Sequence, residues 1–280
     1  MNEWIVLNVI VIKLGEEWDM KNRTFWKTFL AFLCIGLIGI GFLVPAMIPL
    51  LEEQLQSLPN VPDLPFEVLV ISSLINPLIL LIIAIIVGQL TAPKLKLDSY
   101  LYHHMQGNKG IWKTFTSNLP IGIILGVIVS AIFFIFELIF QPYLPETLKM
   151  SVDSRNLVNT LNGIFYGGIV EELLLRWGFM SLLIWIMWKV FQRSKSAPSP
   201  AIFWISIIIS SILFALGHLG VNMLAAPLTP LILTRMLLLN GIGGIVFGWL
   251  YWKKGLEIAM VSHAALHITT TIITNIWFLL

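Results

Sequence analysis

Residues 157–191 read LVNTLNGIFYGGIVEELLLRWGFMSLLIWIMWKVF. The run is dominated by aliphatic and aromatic side chains, yet two carboxylates and an arginine, Glu171, Glu172 and Arg176, sit near its middle. As an α-helix rising ~1.5 Å per residue it would reach about 52 Å, against a bilayer hydrocarbon core of about 30 Å. It therefore reads as a membrane helix that projects beyond the bilayer, or as two helices meeting near Trp177-Gly178. Working outward, six further apolar runs of membrane-spanning length follow, at roughly 27–51, 67–90, 119–140, 201–219, 229–252 and 256–279. The fold class is all-α, a polytopic transmembrane helical bundle of seven spans, or eight if the long run is broken.

Composition supports the same class. Of 280 residues, 58% are hydrophobic and 11% charged, where soluble domains have roughly 45–50% and about 25%. An ordinary soluble enzyme, a disordered chain and a secreted disulfide scaffold are excluded. The formal net charge of +2 is too small to suggest a nucleic-acid partner. Cys34 is the only cysteine, so neither an internal disulfide nor a cysteine-based metal site can form.

Charge placement sets an expected orientation. Thirteen basic residues, among them Lys13, Arg23, Lys27, Lys94, Lys113, Arg193 and Lys254, fall on one side of the spans; Lys149 and Arg155 fall on the other. The positive-inside rule then puts the N-terminus and the 92–118 and 192–200 loops in the cytoplasm. Trp26, Trp112, Trp188, Trp252 and Trp277 lie near span ends, as interfacial aromatics do. Residues 1–14 lack the basic leader of a signal peptide and read as an interfacial helix or a mobile arm. The organisation is an N-terminal cytoplasmic or interfacial segment, 1–26, and one membrane domain, 27–280, with no internal repeat.

Ionisable groups inside spans are expensive, and each is a functional-site candidate. They are Glu171, Glu172, Arg176, His218, Arg235, His263 and His267. Glu137 and Glu257 lie near span ends and are expected to snorkel to water. Glu172 and Arg176 are four apart, share a helical face and are expected to form a supporting ion pair. Glu171, rotated by ~100°, lacks that partner and is the stronger candidate for chemistry. His263 and His267, also four apart, share a face. His103 and His104 are adjacent, point apart and make a poor chelate. Gly244 and Gly248 form a small-xxx-small pattern for close helix packing. Along their helices His218 lies ~26 Å and His263 ~12 Å from the cytoplasmic ends, so a shared site requires helices that protrude or tilt.

Hydrolysis of a peptide bond needs an activated water, a stabiliser for the oxyanion and a proton for the leaving amine. Carboxylate and imidazole groups in a dry site supply all three. No serine or cysteine nucleophile stands out beside a base. Imidazole and carboxylate ligands at this spacing also suit zinc, held by His218, His263 and His267, so the cofactor is either none or a divalent metal such as zinc.

Three blocks carry a family resemblance: Glu171-Glu172-Leu-Leu-Leu-Arg176, Phe214-Ala-Leu-Gly-His218 and His263-Ala-Ala-Leu-His267. Their order, over about residues 157–270, resembles the CPBP family of intramembrane proteases, which includes the type II CAAX prenyl endopeptidases and bacteriocin-processing homologues. The resemblance implies that Glu171 and His218 position and activate a water, and that His263 stabilises the oxyanion with the residue at 267. That residue is His267 here, in place of the more usual Asn. It also implies a membrane-associated protein or peptide substrate within a lipid bilayer. A transporter and a catalytically silent scaffold are the competing classes; the absence of an inverted repeat weighs against the transporter.

Overall fold

A computed structural model describes residues 3–57 and 64–280, with side chains for 23–56 and 64–280. The alternatives expected for residues 1–14 lie outside the residues whose side chains are described. Ten helices carry the argument: α1 (Glu3–Ser57), α2 (Phe66–Ser73), α3 (Ile75–Thr91), α4 (Tyr100–Met105), α5 (Ile111–Phe140), α6 (residues 157–191), α7 (Pro200–Gly217), α8 (Leu219–Ala225), α9 (Pro230–Lys254) and α10 (Leu256–Leu279). No strand occurs among the described residues.

Six helical stretches are long and apolar enough to cross a membrane: Arg23–Gln56, Phe66–Leu95, Ile111–Tyr143, Pro200–Ala225, Pro230–Lys254 and Leu256–Leu279. The long run that decides the fold is α6. It is helical throughout, but only its ends, Leu157–Asn162 and Ser181–Phe191, wind as α-helix. Gly163–Glu171 and Leu173–Met180 close i→i+5 as π-helix. A π-turn holds more residues than an α-turn, so α6 is shorter than the α-helical length expected of it. The alternative of a break at Trp177-Gly178 is absent, because both residues lie inside the second π-helical stretch, and the six stretches among the described residues fall short of the seven or eight spans expected.

Local sequence sets the helix ends. The Asn156 side chain caps α6 by accepting from the Asn159 amide, and Thr229 caps α9 ahead of Pro230 by accepting from the Ile232 amide. Gly255, at φ +96°, turns the chain from α9 into α10, a backbone conformation that side chains disfavour. α10 is the most enclosed of the six spans, while α1, α3 and α5 present mostly lipid-facing surface. Small residues bring the helices together. Gly122 and Gly126 of α5 lie against Ile258 and the Ser262 carbonyl of α10. Further along the same pair, Ser130 and Thr270 hydroxyls meet at 2.8 Å. Gly244 and Gly248 of α9 face Ser211 and Ile207 of α7, as the small-xxx-small spacing predicts.

Two carboxylates expected to snorkel do not. Glu137 is 14% exposed and forms a two-pronged pair with Arg235, whose Nε donates to Oε2 at 2.9 Å. Arg235, flagged as a site candidate, is thereby neutralised by a residue 98 positions away. Glu257 accepts from Ser99 Oγ at 2.6 Å and from the amides of Tyr100 and Leu101, both at 2.9 Å. It satisfies the first turn of α4, a strong use of a carboxylate at a helix N-terminus. His103 pairs with Asp98 at 3.0 Å and His104 accepts from the Trp112 indole at 3.1 Å, so the two rings diverge as expected.

The α5–α10 contact gives a test. A methyl at Gly126 would overlap the Ser262 carbonyl oxygen, whereas a methyl at Gly41 meets nothing within 4 Å. Gly126→Ala should therefore lower stability by roughly 1–3 kcal/mol, and Gly41→Ala should be neutral or slightly stabilising. Thermal unfolding of the two variants in detergent measures the difference.

Candidate active site

The site is built around α6. Its two glutamates are adjacent but face different surroundings. Glu172 and Arg176 are both fully buried, with Arg176 Nε 3.3 Å from Glu172 Oε2. The guanidinium lies 5.2 Å from the centre of the Phe214 ring and 5.9 Å from that of Phe247, so aromatic faces share its charge. The contact is an ion pair without a hydrogen bond: among the described residues neither Glu172 Oε2 nor Nε, Nη1 or Nη2 of Arg176 has a hydrogen-bond partner. The expected ion pair is present, and it is enclosed by α7 and α9 rather than by solvent.

The other oxygen of Glu172 lies 3.0 Å from Nδ1 of His263. A carboxylate only accepts, so Nδ1 carries the proton and Nε2 is turned away from Glu172. Nε2 lies 3.9 Å from Glu171 Oε2. His263 is held in place by two stacked rings, Phe247 at 4.5 Å and His267 at 5.1 Å. Glu171, in contrast to Glu172, keeps 19% of its side chain exposed.

His218 ends α7, and its Nδ1 lies 2.9 Å from the Phe214 carbonyl one turn earlier. A carbonyl only accepts, so this nitrogen donates and the lone pair is left on Nε2. The ring folds back toward the start of its helix, and both His218 and His263 lie against Phe214, at 4.9 and 5.9 Å. The two rings thus meet at one aromatic side chain despite their different distances along their helices.

Glu171, His218, His263 and His267 line one cavity of about 160 Å³. All four predicted site residues are thus brought together. Glu172 and Arg176 stand behind them, and Arg235 is elsewhere. A larger apolar cleft of about 750 Å³, running between α3, α6 and α7, has Tyr166, Glu171, Phe214 and His218 in common with the cavity wall.

Tyr166, Asn162 and Asn240 also line the smaller cavity and were missed by sequence reasoning. Tyr166 precedes Glu171 by five residues, a spacing that shares a face in a π-helix but not in an α-helix. Asn162 carries a buried Oδ1 with no partner. Gly163 and Gly167 were missed as well, although Gly-Ile-Phe-Tyr-Gly is itself a small-xxx-small pattern. A side chain at Gly163 would overlap the His267 ring, and one at Gly167 would come within 3.3 Å of His263. These glycines make the space that the imidazoles fill.

The i,i+4 spacing of His263 and His267 does not by itself aim their ring nitrogens at one point. The His263 and His267 rings are stacked at 19°, so their in-plane lone pairs run side by side instead of converging. Among the described residues, no three His, Cys, Asp or Glu side chains are grouped to hold a metal ion.

Residues 153–269 match the family described as Rce1-like, type II CAAX prenyl endopeptidase Rce1-like. That stretch contains both glutamates, Arg176 and all three site histidines. No curated protein and no solved structure matches the chain.

The ion pair yields a prediction about folding. Arg176→Ala leaves Glu172 buried without its cation, a loss of roughly 3–5 kcal/mol for a broken buried pair. The melting midpoint in detergent should fall accordingly. An unchanged midpoint would show that His263 suffices to hold Glu172.

Proposed function

We propose, from the place of residues 153–269 in the Rce1-like family of type II CAAX prenyl endopeptidases, that this protein hydrolyses a peptide bond in a membrane-associated protein or peptide. The observation that carries the reading is the convergence of Glu171, His218, His263 and His267 on one small cavity beside an apolar cleft. In this reading the cleft takes the apolar part of the substrate, and the bond to be cut reaches the wall that cleft and cavity share.

Glu171 and His218 hold the attacking water. His218 offers the Nε2 lone pair left by its bond to the Phe214 carbonyl. Glu171 has no hydrogen-bond partner among the described residues to tie up its carboxylate, and it takes the water's proton, then returns it to the leaving amine. Attack places negative charge on the carbonyl oxygen. With the Nδ1 proton directed to Glu172, His263 donates through Nε2 only as an imidazolium, and Glu172 and Glu171 are the counter-charges of that form. His267, stacked on His263, is the second donor in the place where the family more usually has Asn. Enclosure by Phe214 and Phe247 keeps these contacts dry, where each is worth more than in water. The excess of basic residues on one side supports a cytoplasmic N-terminus.

Peptide cleavage by purified protein tests the assignment. Glu171→Gln should retain the wild-type melting midpoint and lose turnover, because the amide cannot accept the water's proton. A Glu171→Gln variant that still cleaves removes Glu171 from the mechanism.

Position 267 separates metal-free from metal-dependent chemistry. As an oxyanion donor, His267→Ala should cost about 10²–10³ in rate, while His267→Asn, which restores an N–H donor, should keep much of the activity. As a zinc ligand His267 would not be replaced by Asn, since an amide is a poor ligand beside imidazole. Elemental analysis of the wild type completes the test: bound zinc at one equivalent with both variants inactive overturns the oxyanion role.

A further inference from the structure

A third cavity, of about 940 Å³, is distinct from the catalytic pocket and the apolar cleft, with which it shares no lining residue. It lies at the end of the span that closes at Leu95, beside the charged start of the apolar run of α1 near Lys27. Its wall includes Arg23, Lys27, Gln89, Lys94 and Tyr102. Three of these are cations, and no Asp or Glu lines it among the described residues. Arg23 and Lys27 are four apart on α1 and share a face. Lys94 reaches the same space from the short turn Ala92–Leu95 that follows α3. None of the three has an ion-pair partner among the described residues.

Gln89 is an independent observation at the same place. It is 7% exposed, and neither its Oε1 nor its Nε2 has a hydrogen-bond partner. Buried amides are nearly always bonded, so an amide with both ends free beside three unpaired cations marks a place made for an anion that also accepts hydrogen bonds. The surroundings say which anion. The cavity adjoins the end of an apolar span, where a headgroup would meet it, and Leu90 in its wall and Trp26 and Leu30 on α1 each expose half or more of their surface, a surface for acyl chains.

We propose that this cavity binds the phosphate of an anionic phospholipid headgroup. Arg23, Lys27 and Lys94 supply the charge, and Gln89 supplies a hydrogen bond through Nε2. Occupancy ties α1 to the end of α3 and to α4, which contributes Tyr102. The proposal does not depend on the protease reading, because it uses none of the same residues.

The test is a titration of the purified, delipidated protein with phosphatidylglycerol, phosphatidylcholine and inorganic phosphate. Bound lipid is counted by native mass spectrometry, and the melting midpoint is followed in parallel. Phosphatidylglycerol should bind and raise the midpoint; phosphatidylcholine and inorganic phosphate should do neither at matched concentration. Arg23→Gln and Lys27→Gln should each weaken phosphatidylglycerol binding roughly fivefold, the effect of one cation near an anionic headgroup. Arg23→Lys should preserve it. Lys94→Gln, in a turn outside the long helices, provides the same measurement if the α1 variants fold poorly. Equal binding of the two lipids, or phosphatidylglycerol binding unchanged in the glutamine variants, overturns the proposal. A midpoint raised as far by inorganic phosphate overturns the lipid as occupant.

Discussion

A carboxylate with no exposure to solvent, Glu172, is the constraint around which the bundle is arranged. Its two oxygens serve different neighbours. One meets Arg176 a turn along the same helix, and the other meets His263 on α10. A charge in this position survives only when paired, and the pairing requires α6 and α10 to keep their mutual register. Phe214 and Phe247, contributed by α7 and α9, close over the guanidinium. One buried acid therefore enlists four helices. It does so without occupying the cavity, so its neighbour Glu171 is left free of bonds on the open side.

The π-helical winding of α6 is what makes two adjacent glutamates serve such different ends. A wider turn brings Tyr166 and Glu171 to one face and gives the cavity and the cleft a common wall. Glycines then determine how closely α10 approaches. At Gly163 and Gly167 the α6 backbone itself forms the surface against which the two imidazoles of α10 lie. A π-helix has poorer packing of its own turns and is uncommon in long runs. Here it is supported from outside by Trp177, which is fully buried against Gly88 of α3 and packed against Phe32 of α1.

Membrane class and the ionisable residues that line the cavity were legible in the sequence for the same reason: a charged or imidazole side chain stands out in an apolar run. Glu171, His218, His263 and His267 were found by that contrast, and Glu172 with Arg176 by helical spacing. What escaped was of two kinds. Tyr166 was hidden because face assignments assumed ~100° per residue, and no local signal announces a π-helix. The fates of Glu137 and Glu257 were hidden because their partners are far away in sequence: Arg235 for one, and Ser99, Tyr100 and Leu101 for the other. A carboxylate near a span end has two outlets, water or a distant donor, and its position alone does not distinguish them.

The bond between Glu257 and the loop before α4 has a practical side. Glu257 is six residues ahead of His263 on α10, so the segment around Ser99 is fastened to the helix that carries the imidazole. The Tyr100 hydroxyl adds a second fastening, donating to the Lys254 carbonyl at 2.8 Å. A reporter or epitope spliced into residues 96–101 would pull on α10 and the cavity wall it forms, however remote that segment looks on a topology diagram. The exposed turn at residues 193–197 joins α6 to α7 without any such attachment to α10, and is the better site for a label meant to leave the protein undisturbed.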